Sequence, residues 1–300
     1  MRTHALLLVG LFAVGAANAD QVFDKKVSAD PHGTVEISNV AGRIEVSGWD
    51  NPEVDVHADM GAGVDRVDVE SDHGRTTIKV IVPNHSFRSI STNLRVRVPR
   101  DSELDVSGVS SDVGAADVQG VLQLKTVSGD IKADVFQRNV DVKTVSGDVT
   151  LRGKGQQGAM LHLSSISGNI HVDRAAGDVE ATTVSGDLTL RLESARNVRV
   201  RTTSGDLTFE SKLVPGAMVD GETVSGDLTV RAVPDGALDY EVATFSGDIV
   251  NCMGGDAERV SKYAPGKRLT GSKGQSSGGA MATRIRLKTM SGDVELCDRN

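Results

Sequence analysis

The chain has 300 residues, of which 38% are hydrophobic but only 3% aromatic, with 33 Lys and Arg against 41 Asp and Glu. A net charge of −8 repels phosphate backbones and argues against nucleic acid as a partner. So long a chain with so few large rings argues against one thick globular core, whereas abundant Val, Leu, Ile, Thr and Gly suit thin β layers.

Residues 1–19, MRTHALLLVGLFAVGAANA, place one Arg before an apolar stretch too short to span a bilayer and end on Ala17, Asn18 and Ala19. That is the small-x-small pattern of a secretory leader, so cleavage is expected near Ala19–Asp20. No cysteine stands near that point to take a lipid. No later run reaches the ~18 apolar residues of a membrane helix. The expectation is a periplasmic or secreted bacterial protein with no transmembrane segment.

From 20 to 105, TVEIS, RIEVSG, EVDVHADM, VDRVDVES, TTIKVIV and NLRVRV alternate as strands do. This region is expected to be an irregular β cap continuous with the repeats that begin at 106, because a stack of strands must hide its first open edge. Trp49 is expected to plug that end.

From 106 to 300 the chain repeats a Ser-Gly-Asp triplet, with Ser at 110, 128, 146, 167, 185, 204, 225, 246 and 291. The first and fourth copies read Ser-Ser-Asp and Ser-Gly-Asn. Intervals of 18 to 21 residues, closing with one of 45, mark a solenoid. Before each triplet an alternating apolar set faces inward, as in Leu122 and Leu124 or Val140 and Val142, while Gln123, Lys125, Asp141 and Lys143 face water. The inward set resumes afterwards, as in Val149 and Leu151 or Leu188 and Leu190. The triplet is therefore a corner between two strands: Gly permits angles other residues reach only with strain, and Ser and Asp bond nearby backbone.

Stacking such coils ~4.8 Å apart puts like residue over like. Thr126, Thr144, Ser165, Thr183, Thr202, Thr223, Thr244 and Thr289 become an internal hydroxyl ladder that bonds neighbouring hydroxyls or free backbone groups of the bends. Asp130, Asp148, Asn169, Asp187, Asp206, Asp227, Asp248 and Asp293 become a structural corner ladder. Its aligned carboxylates repel by ~0.9 kcal/mol per neighbouring pair in water, which hydrogen bonds, flanking Lys and Arg, or bound cations must offset. Outward, Thr150, Thr189, Thr208 and Thr229 are expected to form a row. A propeller also repeats, but its blades need roughly 40 residues and regular tight hairpins.

The final interval holds GGDAERVSKYAPGKRLTGSKGQSSGGA, which lacks sustained alternation and is expected to leave the stack as a loop excursion over 253–282. Cys252 and Cys297 each lie six residues after a triplet Ser. In adjacent coils their Cα atoms would be ~5 Å apart, within disulfide range, so a Cys252–Cys297 bridge is expected, in keeping with export.

Chemistry is harder to place. Nine-residue calcium solenoids differ from this chain in period and motif, and a polysaccharide-cleaving site needs converging carboxylates where these recur evenly. His32, His57, His73, His85, His162 and His171 show no metal spacing, although His162 and His171 flank one bend. No catalytic, cofactor or metal residue is assigned. A calcium-stabilised structural solenoid and a sugar-cleaving β-helix remain the alternatives.

With the repeat laid out, the chain resembles the bacterial putative-adhesin family of β-strand-repeat proteins. The likeness is carried by GTVEISNVAGRIEVSGWDNPEV, LRVRVPRDSELDVSGVSSDV, the serial TVSGD units, and YAPGKRL through IRLKTMSGDVELC. It implies an exported, noncatalytic parallel β-helix at the cell envelope. The whole reading is an all-β, single-stranded parallel β-helix with coils of about 18–21 residues. Strand crossings favour right-handed winding. Its partner would be an envelope protein or polysaccharide, with self-association through the solenoid edges also open.

Overall fold

The computed structural model describes residues 21–83, 90–155, 158–261, 264–274 and 281–298. The expected leader and His85 lie outside them. The described residues are all-β, with no helix.

The N-terminal part contains β1 (Gln21–Ser28), β2 (Thr34–Trp49), β3 (Glu53–Met60), β4 (Arg66–Asp72), β5 (Arg75–Ile81), β6 (Thr92–Pro99) and β7 (Glu103–Ala116). The regular repeats supply β8 (Leu122–Lys125), β9 (Ile131–Val135), β10 (Val140–Lys143), β11 (Val149–Gly153), β12 (Ala159–Ser164), β13 (Ile170–Ser185), β14 (Leu188–Ser204) and β15 (Leu207–Ser225). The C-terminal part adds β16 (Leu228–Pro234), β17 (Leu238–Ser246), β18 (Ile249–Asn251), β19 (Glu258–Ser261), β20 (Ala264–Lys273), β21 (Thr283–Ser291) and β22 (Val294–Cys297).

Parallel pairing sets each coil on the next in register. Val140 pairs with both Leu122 and Leu161, and Val142 with both Leu124 and Leu163. Beyond the corner Leu190 pairs with Val172 and Phe209. Each of these side chains is buried, so one apolar core runs through the stack. Its aliphatic rows explain why so few rings suffice: every inward side chain packs against a similar one above and below.

The stacking order departs from the chain order at both ends. The expectation that successive copies lie directly over one another holds only through the middle. β21 and β22, which carry Ser291, sit between the Ser225 coil and the Ser246 coil. At the other end, the first coil, β2, lies between β7 and the later strands β5 and β6.

Charge accounts for the C-terminal insertion. Stacked in chain order, Asp220 would face Glu241 at the same register. The observed order puts Arg286 between them, paired with Asp220 on one side and Glu241 on the other. Arg286 Nε lies 3.4 Å from Glu241 Oε2. Glu222 pairs with Lys288 and Arg201, the latter through a 3.1 Å bond. Signs thus alternate from coil to coil, where like neighbours would repel by ~0.9 kcal/mol each in water and more beside an apolar surface.

Antiparallel strands close the stack. β4 covers β5, and β3 with β1 covers β6. At the far end β20 runs antiparallel to β17, and β19 to β20. The excursion expected as loop therefore carries two strands. Short polar segments such as KRLTGSK gain ladder hydrogen bonds as an outer cover that buries little apolar surface besides Leu269. β18, paired only with β22, has three residues, too few to template another chain.

Cys252 and Cys297 are bonded, with Cα atoms 4.7 Å apart. The bridge joins the outermost coil to the inserted one, so the disulfide fastens a coil that is last in space but not in sequence.

Two outcomes test this arrangement. Arg286→Glu would line up three acids and should cost about 1–2 kcal/mol, with the loss shrinking at high salt in paired thermal melts. Reducing the bridge, which closes a loop of separation 45, should cost about 4 kcal/mol and expose the outermost coil near β18 to protease first.

Candidate functional site

The bends form a hydrogen-bonded ladder in which each carboxylate or amide oxygen accepts from the backbone N–H of the next coil. Asp130 N–H donates to Asp112 Oδ1 at 3.1 Å, Asp148 to Asp130 at 3.0 Å, Asn169 to Asp148 at 2.8 Å and Asp187 to Asn169 at 2.9 Å. The series continues with Asp206 to Asp187 at 2.9 Å, Asp227 to Asp206 at 2.8 Å, Asp293 to Asp227 at 2.8 Å and Asp248 to Asp293 at 2.7 Å. Charge-assisted bonds of this kind offset the repulsion along the row. Asp248, last in line, has no further coil to accept from and instead meets Lys267 of β20.

The triplet Gly is required less for its angles than for what lies beneath it. A Cβ on Gly147 would stand 1.9 Å from the Gly129 carbonyl oxygen, and on Gly226 2.1 Å from that of Gly205. Only the later copies, such as Gly226 with φ 147°, also use the left-handed region. Close coil-to-coil approach is the common cause.

The internal hydroxyls are all buried. Thr126 donates to Ser111 O at 3.2 Å, Thr244 to Gly292 O at 3.0 Å and Thr289 to Gly226 O at 3.3 Å. Thr144, Ser165, Thr183, Thr202 and Thr223 make no such bond, and no hydroxyl of the row bonds another. They line the inner side of the corner, against the triplet Gly, as Thr144 does at Gly147 and Ser165 at Gly168.

Sequence reasoning passed over the residue just before each triplet Ser. In spatial order these are Val109, Val127, Val145, Ile166, Val184, Thr203, Val224, Met290 and Phe245. Every apolar member is exposed, from Val145 at 39% to Met290 at 58%. Their spacing makes a row ~38 Å long. The signal was present in the repeat alignment: an outward strand position that stays aliphatic where its outward neighbours are charged.

Other marked residues are scattered. Thr189, Thr208 and Thr229 are adjacent, but His171 separates Thr150 from them. His162 lies 3.5 Å from Glu180, on a different ladder from His171, so the two histidines do not converge. Trp49 does not plug the open end: it closes β2, donates its indole N–H to Glu53 O at 2.8 Å and carries Arg97 4.6 Å over its ring. The end is closed by antiparallel strands instead. Among the described residues, no cluster of His, Cys, Asp and Glu is arranged to hold a metal ion.

Two grooves break the smooth faces. One, of about 990 Å³, opens where the outward positions shrink to Gly114 and Ala116, between Glu45 and Arg97 on one side and Lys132 and Arg152 on the other. The second, of about 820 Å³, runs along the C-terminal end of the aliphatic row.

The Toastrack DUF4097 family profile matches residues 26–210 and again 176–297. The chain belongs to the Toastrack DUF4097 family. No curated protein matches it. Among solved structures, one titled a putative adhesin from Bacteroides fragilis shares 12% identity over 92% of this chain and 97% of its own, with a TM-score of 0.45. Another so titled, from Parabacteroides distasonis, shares 11% over 92% and 98%, at 0.44. A third, titled a putative lipid binding protein from the same species, shares 12% over 92% and 97%, at 0.44. Among the described residues of this Toastrack chain, no helix is long and apolar enough to cross a membrane.

Two variants of this Toastrack stack test the corner. Gly147→Ala should cost about 3 kcal/mol by forcing two coils apart. Gly236→Ala, with φ 100° and open space around it, should cost only about 1 kcal/mol in the same denaturant titration. A third variant tests the inserted coil. Arg268 first, then Arg286 and Lys288, holds the Glu241 carboxyl below its ordinary 4.5. A lowered value contributes stability that is complete above 4.5 and fades as pH falls through the folded value. Glu241→Gln should therefore cost about 1 kcal/mol at pH 7 and nothing in strong acid, read from melts across that range.

Proposed function

We propose that the chain is an exported, noncatalytic parallel β-helix of right-handed winding that serves as a binding or scaffold protein of the bacterial cell envelope. Its partner on this reading is another envelope component, a protein or a polysaccharide. The observation that carries the reading is the exposed aliphatic row, repeated on all but one of the triplet corners. Soluble proteins seldom expose a contiguous apolar strip of several hundred Å², and those that do use it for contact. A leader removed near Ala19–Asp20 would deliver the chain to a compartment where the Cys252–Cys297 bridge persists. The evenly spaced Asp ladder supports a structural role over catalysis, since its oxygens already hold backbone N–H groups.

Val127→Asn with Val145→Asn leaves the core untouched and should preserve the melting temperature. In intact cells, photo-crosslinking followed by partner identification should recover at least tenfold less partner with this variant than with the native chain. Equal recovery would remove the row from the function.

A further inference from the structure

The aliphatic row changes character at its C-terminal end. There Val184, Val224, Met290 and Phe245 floor the groove of about 820 Å³, and Val260 of β19 closes it. Val260 lies 3.6 Å from where a Gly266 side chain would begin, an ordinary packing distance. The floor from Val184 to Phe245 spans five successive coils, ~19 Å, with Thr203 as its one polar member.

The rim is cationic although the chain as a whole is acidic. The groove is lined by Arg201, Lys267, Arg268 and Lys288 against Glu222 and Glu241, an excess of two positive charges; Glu241 is shared by Arg268 and Arg286, and Glu222 bonds Arg201 and stands beside Lys288. Lys288 makes no direct ion pair among the described residues. Ala243 pairs with Lys288 on one side and Arg268 on the other. Two cations thus straddle a methyl group, ~10 Å apart, beside an apolar trough.

We propose that this groove binds a single long-chain fatty acid, with its carboxylate over Ala243 between Lys288 and Arg268 and its tail along Met290, Val224 and Val184. A ~19 Å floor accommodates an extended acyl chain of about sixteen carbons. A planar carboxylate accepts the paired N–H groups of an arginine. A strand from another protein gains little here, because the backbone groups beneath the row are already bonded from coil to coil. The inference rests on the envelope-binding reading and names one ligand for part of the same surface.

Palmitate is titrated calorimetrically into the full chain with its disulfide intact, with native mass spectrometry for stoichiometry. One palmitate per chain is expected, with octanoate at least 100-fold weaker and hexadecanol at least tenfold weaker. Phe245→Ser with Met290→Ser should weaken palmitate at least 30-fold, and Lys288→Gln with Arg268→Gln at least tenfold. Val22→Asn, on exposed β1, should change nothing, and circular dichroism melts establish that each variant is folded. Absent or non-saturating palmitate binding, unchanged affinity in both double variants, or binding only to phosphatidylglycerol vesicles would overturn the proposal. Partner capture through Val127 and Val145 without palmitate binding would sink this inference alone and leave the envelope role standing.

Discussion

The closest constraint in the molecule is the approach of one bend to the next. At Gly147 there is no room for a methyl group above the carbonyl of Gly129, and the same holds at every other triplet that carries Gly. That contact fixes the coil spacing at the corner and brings each Asp oxygen within 2.7–3.1 Å of the next coil's N–H. The carboxylate row, which would push the stack apart if it faced only water, becomes part of what holds it together. Glycine and aspartate are thus two halves of one device, the first permitting the approach and the second using it.

A stack built this way has no intrinsic end, since every coil offers the same edge to another. The chain solves this at both termini with a similar route. It passes over one coil position, builds the outer coil and an antiparallel cover, and leaves a sequence-terminal coil between two others. β2 occupies that position at one end, β21 with β22 at the other. β2, β21 and β22 are paired on both sides, while β1 pairs with β3 alone. The antiparallel covers break the parallel register that another copy would need in order to continue the stack.

Much of this was legible in the sequence. The period, the inward rows, the corner at Ser-Gly-Asp and the register of the two cysteines all follow from spacing alone, because a stacked strand converts sequence interval directly into spatial neighbourhood. Coil order is different. Period treats the Ser246 and Ser291 copies alike, and what separates them is charge: Asp220 and Glu241 repel at the same register, while Arg286 complements both. That signal was readable but required comparing outward residues across copies. The closures were less legible, for β20 buries little apolar surface besides Leu269 and so shows almost no apolar alternation, and Trp49 drew attention only because the chain has no other tryptophan. The aliphatic row was missed because alternation sorts residues into inward and outward, and an outward valine looks like noise until it recurs.

An exposed apolar strip on a repeat protein would ordinarily invite aggregation, and its surroundings explain how this one is tolerated. On one side lies the Asp ladder, on the other the row carrying Lys125, Lys143, Arg201, Glu222 and Lys288. The backbone beneath is saturated by coil-to-coil bonds, so the strip presents side chains without a strand edge. A contact made there must come from shape and apolar area. Toward the N-terminal end of the row Lys125 and Lys143 stand on successive coils, followed by Ser164 and Thr182 before Arg201. At the C-terminal end Ala243 opens a gap between Lys288 and Arg268, and the fringe of charge that protects the strip elsewhere becomes a place where an anion fits.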